Sequence, residues 1–146
     1  MKLPKYPLKA EKSLMIFELT SEGPRGQIKK LVKYSETNLK DLYNLAFDDM
    51  DVKTSEINDK IISNNGDSDM VLSTVVSTVY AFTDKYPDAW VFATGSTKAR
   101  TRLYRIGITK YLLEIKRDFQ VFGLKDEEWE PFEKDVLYEA FLVKRK

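Results

Sequence analysis

The chain has 146 residues, of which 42% are hydrophobic and 12% aromatic, and carries a formal net charge of +1. That length fits a single domain, residues 1–146, with a core that needs no covalent or metal staple. With neither histidine nor cysteine, the chain excludes Ser-His-Asp and Cys-His nucleophiles, the common zinc sites and disulfides, leaving Asp, Glu, Lys and Tyr to move protons.

Residues Met1 to Pro7 lead into no apolar segment of signal-peptide type, so a cytoplasmic protein is expected. No apolar run approaches the ~18–20 residues of a membrane-spanning helix, and no membrane partner is expected. From Met15 to Thr20, Met15, Phe17 and Leu19 share one face, the period-two pattern of a half-buried strand. Residues 21–26 hold two glycines and a proline and predict a turn, after which Gln27 to Tyr34 returns as a lysine-rich strand. A further strand is predicted over Leu42 to Phe47, with Lys60 to Ser63 as its hairpin partner. The acidic stretch between them lacks the glycine and spaced glutamate of a calcium loop and reads as a solvated tip.

Asp67 or Ser68 can cap a helix that ends before Pro87. Its apolar residues, from Val71 to Phe82, recur at three and four, while Ser73, Thr74, Ser77 and Thr78 form a side free of charge. A solvated helix face ordinarily carries Lys and Glu, so this side predicts a contact with another helix or with a second copy, and a homodimer is expected through this side or through an exposed strand edge. Ala89 to Thr94 reads as a buried central strand. A second long helix is predicted from Thr97 to Arg117, with Gly107 inside it as the place for a close contact or a small kink. A short strand at Gln120 to Phe122, an acidic helical turn from Asp126 to Lys134 and a last strand from Leu137 to Val143 complete the chain. The fold class expected is α+β, an antiparallel sheet of about five to seven strands packed against two long helices.

One constellation carries chemistry. Strand, glycine-hydroxyl turn and helix start follow one another at Val91 to Arg105, and Gly95, Ser96, Thr97, Lys98, Arg100, Arg102 and Arg105 form the candidate anion site. Free N–H groups and the helix dipole favour an anion there. At ~100° per residue, Lys98, Arg102 and Arg105 fall on one stripe. Cations at a helix N-terminus cost about 0.3–1 kcal/mol each, so these call for a negative partner. One partner is the chain itself: residues 41–69 carry a balance of −6 and residues 96–117 one of +6, and the two can neutralise each other within the fold or between subunits. The other is a phosphate backbone, DNA or RNA. The turn lacks the spacing of a P-loop, no Rossmann glycine set follows, and the carboxylates at Asp126 to Glu130 sit on a polar segment that offers no burial to separate their pKa values. No catalytic residue, metal site or cofactor is assigned.

The run Tyr86 to Arg105, with the closing Tyr138 to Val143, resembles an uncharacterised bacterial family, a domain of unknown function, over most of the chain. The order of antiparallel strands, helix, strand and helix is also similar to Whirly-type single-stranded-DNA-binding folds, a likeness of element order. The expected function is a small non-enzymatic protein that binds a nucleic-acid backbone at the basic helix start. The alternatives are a small enzyme or binding domain for a phosphorylated or carboxylated metabolite, held by Ser96, Thr97 and Arg102, and a structural subunit of an assembly.

Overall fold

The computed structural model describes residues 5–24, 26–49, 68–95 and 98–146. In chain order the elements are β1 (Lys9–Ala10), β2 (Ile16–Gly23), β3 (Gly26–Glu36), β4 (Leu42–Asp49), α1 (Ser68–Lys85), β5 (Trp90–Ala93), α2 (Lys98–Lys110), α3 (Leu112–Asp118), β6 (Phe119–Lys125), β7 (Glu128–Pro131) and β8 (Ala140–Arg145). The strands follow the hydrogen-bonded order β1-β2-β3-β4-β5-β8-β6-β7. The fold is α+β, but the sheet is larger than expected and mixed, because β4 and β5 run parallel. A parallel pair needs a crossover, and the chain between these two strands contains α1. Contacts divide the chain into two compact units, residues 35–45 with 86–146 and residues 2–34 with 46–85.

In the second unit, β2 and β3 form a hairpin in which Phe17 faces Val32 and Leu19 faces Lys30. Phe17, Leu19, Val32 and Tyr34 are buried with Val71, Leu72, Val75 and Phe82 of α1. Tyr34 stacks flat on Phe82, centroids 4.1 Å apart, and meets the edge of Phe17 at 6.1 Å. The uncharged hydroxyl side of α1 is packed, as its lack of Lys and Glu implied: Thr74 and Thr78 are 0% exposed, and Ser73 is buried too. Each can be buried because its hydroxyl donates to a carbonyl of its own helix, Ser73 and Thr74 to Met70 and Thr78 to Val75. The oxygens then accept from outside. Thr74 Oγ1 takes the Tyr6 N–H at 2.9 Å, and Thr78 Oγ1 lies 2.8 Å from the Tyr34 hydroxyl, which donates because the Thr78 proton is already used. Lys5 Nζ donates to Ser77 Oγ at 3.1 Å. The side expected to meet another helix or a second copy is thus contacted by the chain's own Lys5, Tyr6 and Tyr34, which leaves the strand edges as the other expected route to a homodimer.

In the first unit, β8 lies between β5 and β6 and is antiparallel to both, so β5 and β6 are mutually parallel and α2 with α3 forms the crossover. The predicted helix from Thr97 to Arg117 is two helices joined at Tyr111, whose φ of −109° and ψ of 25° leave the helical region. Its N–H still reaches the Gly107 carbonyl at 3.3 Å. Leu112 and Ile115 are buried, and α3 packs against β6. The predicted acidic helical turn is instead a hairpin. Asp126 and Glu127 both have positive φ, 51° and 65°, as a two-residue turn between twisted strands requires, and Glu128 to Pro131 pairs with β6. The strand predicted at Gln120 to Phe122 extends from Phe119 to Lys125, and the last strand begins at Ala140 rather than Leu137. The strand predicted at Lys60 to Ser63 and the acidic tip lie outside the described residues.

Candidate functional site

The strand-turn-helix constellation belongs to the first unit. The Trp90 N–H donates to the Asp41 carbonyl at 2.7 Å, where β5 enters beside β4. At its far end the Thr94 hydroxyl donates to the Glu139 carbonyl at 2.9 Å, which ties the turn to the approach of β8. The Gly95 N–H donates to Thr101 Oγ1 at 3.1 Å, so one donor expected to await an anion is taken by the helix that follows. Ser96 and Thr97 lie outside the described residues, as does the side chain of Arg100.

Helix α2 opens at Lys98 and has no acidic residue in its first turn. Lys98 and Arg102 are exposed and Arg105 is half-buried. Among the described residues, none of these three cations makes an ion pair or a hydrogen bond. These three like charges lie within about two turns of the helix start, with no described carboxylate paired to them, so an anion there would relieve repulsion between the side chains and, at Lys98, from the dipole.

The sequence reading missed the outer face of the sheet in this unit. Register places Trp90 opposite Lys144 and Phe92 opposite Leu142, and Lys144 and Leu142 opposite Gln120 and Phe122 of β6. Leu124 in turn faces Trp129 on β7. Their neighbours Val91, Ala93, Val121 and Phe141 point the other way and are buried, whereas Trp90, Phe92, Phe122 and Leu142 are only half-buried. The strand expected to be buried throughout is thus buried on one face. The visible signal was the alternation Trp90-Val91-Phe92-Ala93, large ring and small aliphatic in turn.

Proton chemistry finds little support. Tyr138 donates to Glu130 Oε2 and accepts the Glu133 N–H, both at 3.0 Å. Burial raises its pKa above the ordinary phenol value; the Glu133 N–H works against this, and the carboxylates of Glu130 and Glu133 add to it. Tyr43 is raised likewise, by burial first and then by Glu36, Asp41 and Tyr86. Both phenols are kept protonated, which unsuits them as bases. Asp126, Glu127 and Glu128 are exposed. Among the described residues no cluster of three metal-ligating side chains occurs. No helix among them is long and apolar enough to cross a membrane. In the second unit an open groove of about 480 Å³ is lined by Tyr6, Leu8, Glu18, Thr20, Glu22 and Lys29, among others. Glu18 pairs with Lys29 across 3.6 Å, so its charge is balanced and favours neither sign of ligand.

Over residues 2–146 the chain matches a family described as a family of unknown function (DUF6934), and it belongs to that family. No curated protein matches it. No solved structure matches it, so the similarity to Whirly-type folds stays one of element order.

Proposed function

We propose that this member of the family is a non-enzymatic nucleic-acid-binding protein that holds the phosphate backbone at the start of α2, through Lys98, Arg102 and Arg105. The observation that carries the reading is that these cations have no ion-pair or hydrogen-bond partner among the described residues, above a helix end with no acidic residue in its first turn. Isolated cations at that position destabilise the helix, and a phosphate reverses the sign of the interaction. The Thr94 hydroxyl bond anchors the end of β5 to Glu139, and the Gly95 N–H bond links it to Thr101 of α2, contacts that support a positioned ligand site. On this reading the protein works in the cytoplasm, where nucleic acid is an abundant polyanion.

The test is the salt dependence of binding to single-stranded DNA, duplex DNA and RNA, with Arg102→Ala/Arg105→Ala as the variant. Three phosphate contacts on a single strand give a slope of about −2 in log K against log salt, a loss on the order of 20-fold between 50 and 200 mM. The double variant should flatten that slope to about −0.7 while its circular dichroism and unfolding midpoint stay near those of the parent. An unchanged slope in a folded variant would refute the reading.

A further inference from the structure

We propose that the outer face of the sheet in the first unit stacks the bases of a single-stranded nucleic acid, with Trp90, Phe92, Phe122 and Trp129 as the platform. The proposal rests on the reading above for its ligand class and adds which form of nucleic acid is bound and how.

The rings are arranged as a surface and not as a core. Trp90 lies 6.0 Å from Phe122, and Phe92 lies 6.1 Å from Trp129, so the four rings form two adjacent pairs across β5, β6 and β7. Trp129 is 42% exposed and the other three are half-buried. Lys144 Nζ sits 5.9 Å from the Trp90 ring centre, which places a cation at the edge of the platform. Gln120 and Asn44 share the face by register and supply amide groups beside the rings.

Charge selects the occupant. No strand position on this face in β4 (within this unit), β5, β6, β7 or β8 holds Asp or Glu, whereas Glu128 and Glu130 of β7 alternate onto the other face. A second copy docked face to face would bury Lys144 against a surface that offers no carboxylate to receive it, at the desolvation cost of an unpaired charge. A nucleic-acid strand supplies both complements at once, flat apolar bases for the rings and phosphates for the lysine. A duplex keeps its bases stacked inside and presents no base faces to a flat sheet, so the platform fits a single strand.

Both tryptophans of the chain lie on this face, which makes tryptophan emission a direct readout of it. The experiment titrates the full chain with a twelve-residue oligothymidylate, an abasic strand of equal length and a duplex, following tryptophan quenching and the anisotropy of labelled ligand. The expected result is quenching by oligothymidylate alone and tighter binding of it than of the abasic strand. Trp129→Ala should lose about 5- to 100-fold in affinity for oligothymidylate and nothing for the abasic strand. Trp129→Phe, which keeps a stacking ring and guards against a folding defect, should recover most of the loss. Equal affinity for oligothymidylate and abasic strand overturns the proposal. So does a dimer in light scattering that Trp129→Ala dissociates without any base-dependent binding. Base-independent binding that Arg102→Ala/Arg105→Ala abolishes would keep the helix site and refute the platform. Base-dependent binding that ignores that double variant would keep the platform and refute the helix site, and no binding by either strand overturns both.

Discussion

Gly123 is the position where a single methyl group tests the packing of the first unit most sharply. It is buried in β6, and a Cβ built on it would stand 2.6 Å from Cε1 of Tyr138 and closer still to Cγ and Cδ1. These are atoms of the ring body, not the end of a flexible chain, so the ring must move as a whole. It is held at both ends: Phe132 and Phe141 lie 5.2 and 6.2 Å from its centre, and its hydroxyl bonds Glu133 and Glu130. Overpacking costs about 1–3 kcal/mol. Loss of the two hydroxyl bonds adds about 1 kcal/mol each, so Gly123→Ala should destabilise by about 3–5 kcal/mol. Urea unfolding of four chains measures this: parent, Gly123→Ala, Tyr138→Ala and the double variant. Tyr138→Ala alone should cost about 3–5 kcal/mol. In its background the added methyl meets an empty site and should cost under about 0.5 kcal/mol, a coupling of 2 kcal/mol or more. An equal cost of Gly123→Ala in both backgrounds, or a single-variant cost near zero, would refute the steric account.

Three further outcomes follow from particular contacts. Glu127 holds a φ of 65° in the β6–β7 turn, and Glu127→Gly should raise stability by about 1 kcal/mol, read as a higher urea midpoint. Thr74→Ala removes the acceptor of the Tyr6 N–H; it should cost about 1 kcal/mol and speed tryptic cleavage at Lys9 several-fold, followed by mass spectrometry. Tyr138 is protonated in the fold with a pKa raised by burial, so folding favours the proton. Its contribution is complete below the unfolded value near 10 and is lost as pH rises through the higher folded value. Stability should therefore fall above about pH 10, and less steeply in Tyr138→Phe; Tyr43 acts in the same sense.

Local pattern alone determined a good deal. The period-two runs at Met15 to Thr20 and Gln27 to Tyr34 are strands, and the three-and-four spacing before Pro87 is a helix, because side-chain periodicity follows directly from backbone geometry. The basic stripe on α2 was legible for the same reason, since angular position on a helix depends only on residue number. What the tertiary structure decided is partnership. Ser73, Thr74 and Thr78 read in sequence as a face for another helix or a second copy, and only the approach of Tyr6 and Tyr34 makes the Thr74 and Thr78 oxygens useful in a core. Asp126 to Glu130 reads as a polar helical turn until pairing with β6 imposes two positive φ values and a strand. The aromatic platform is spread over β5, β6 and β7, about 40 residues apart in the chain, and comes together only because β8 inserts between β5 and β6. Periodicity tells which residues share a face of one element; which faces are then covered depends on strand order and on where the crossover helices lie, and these are set by long-range pairing.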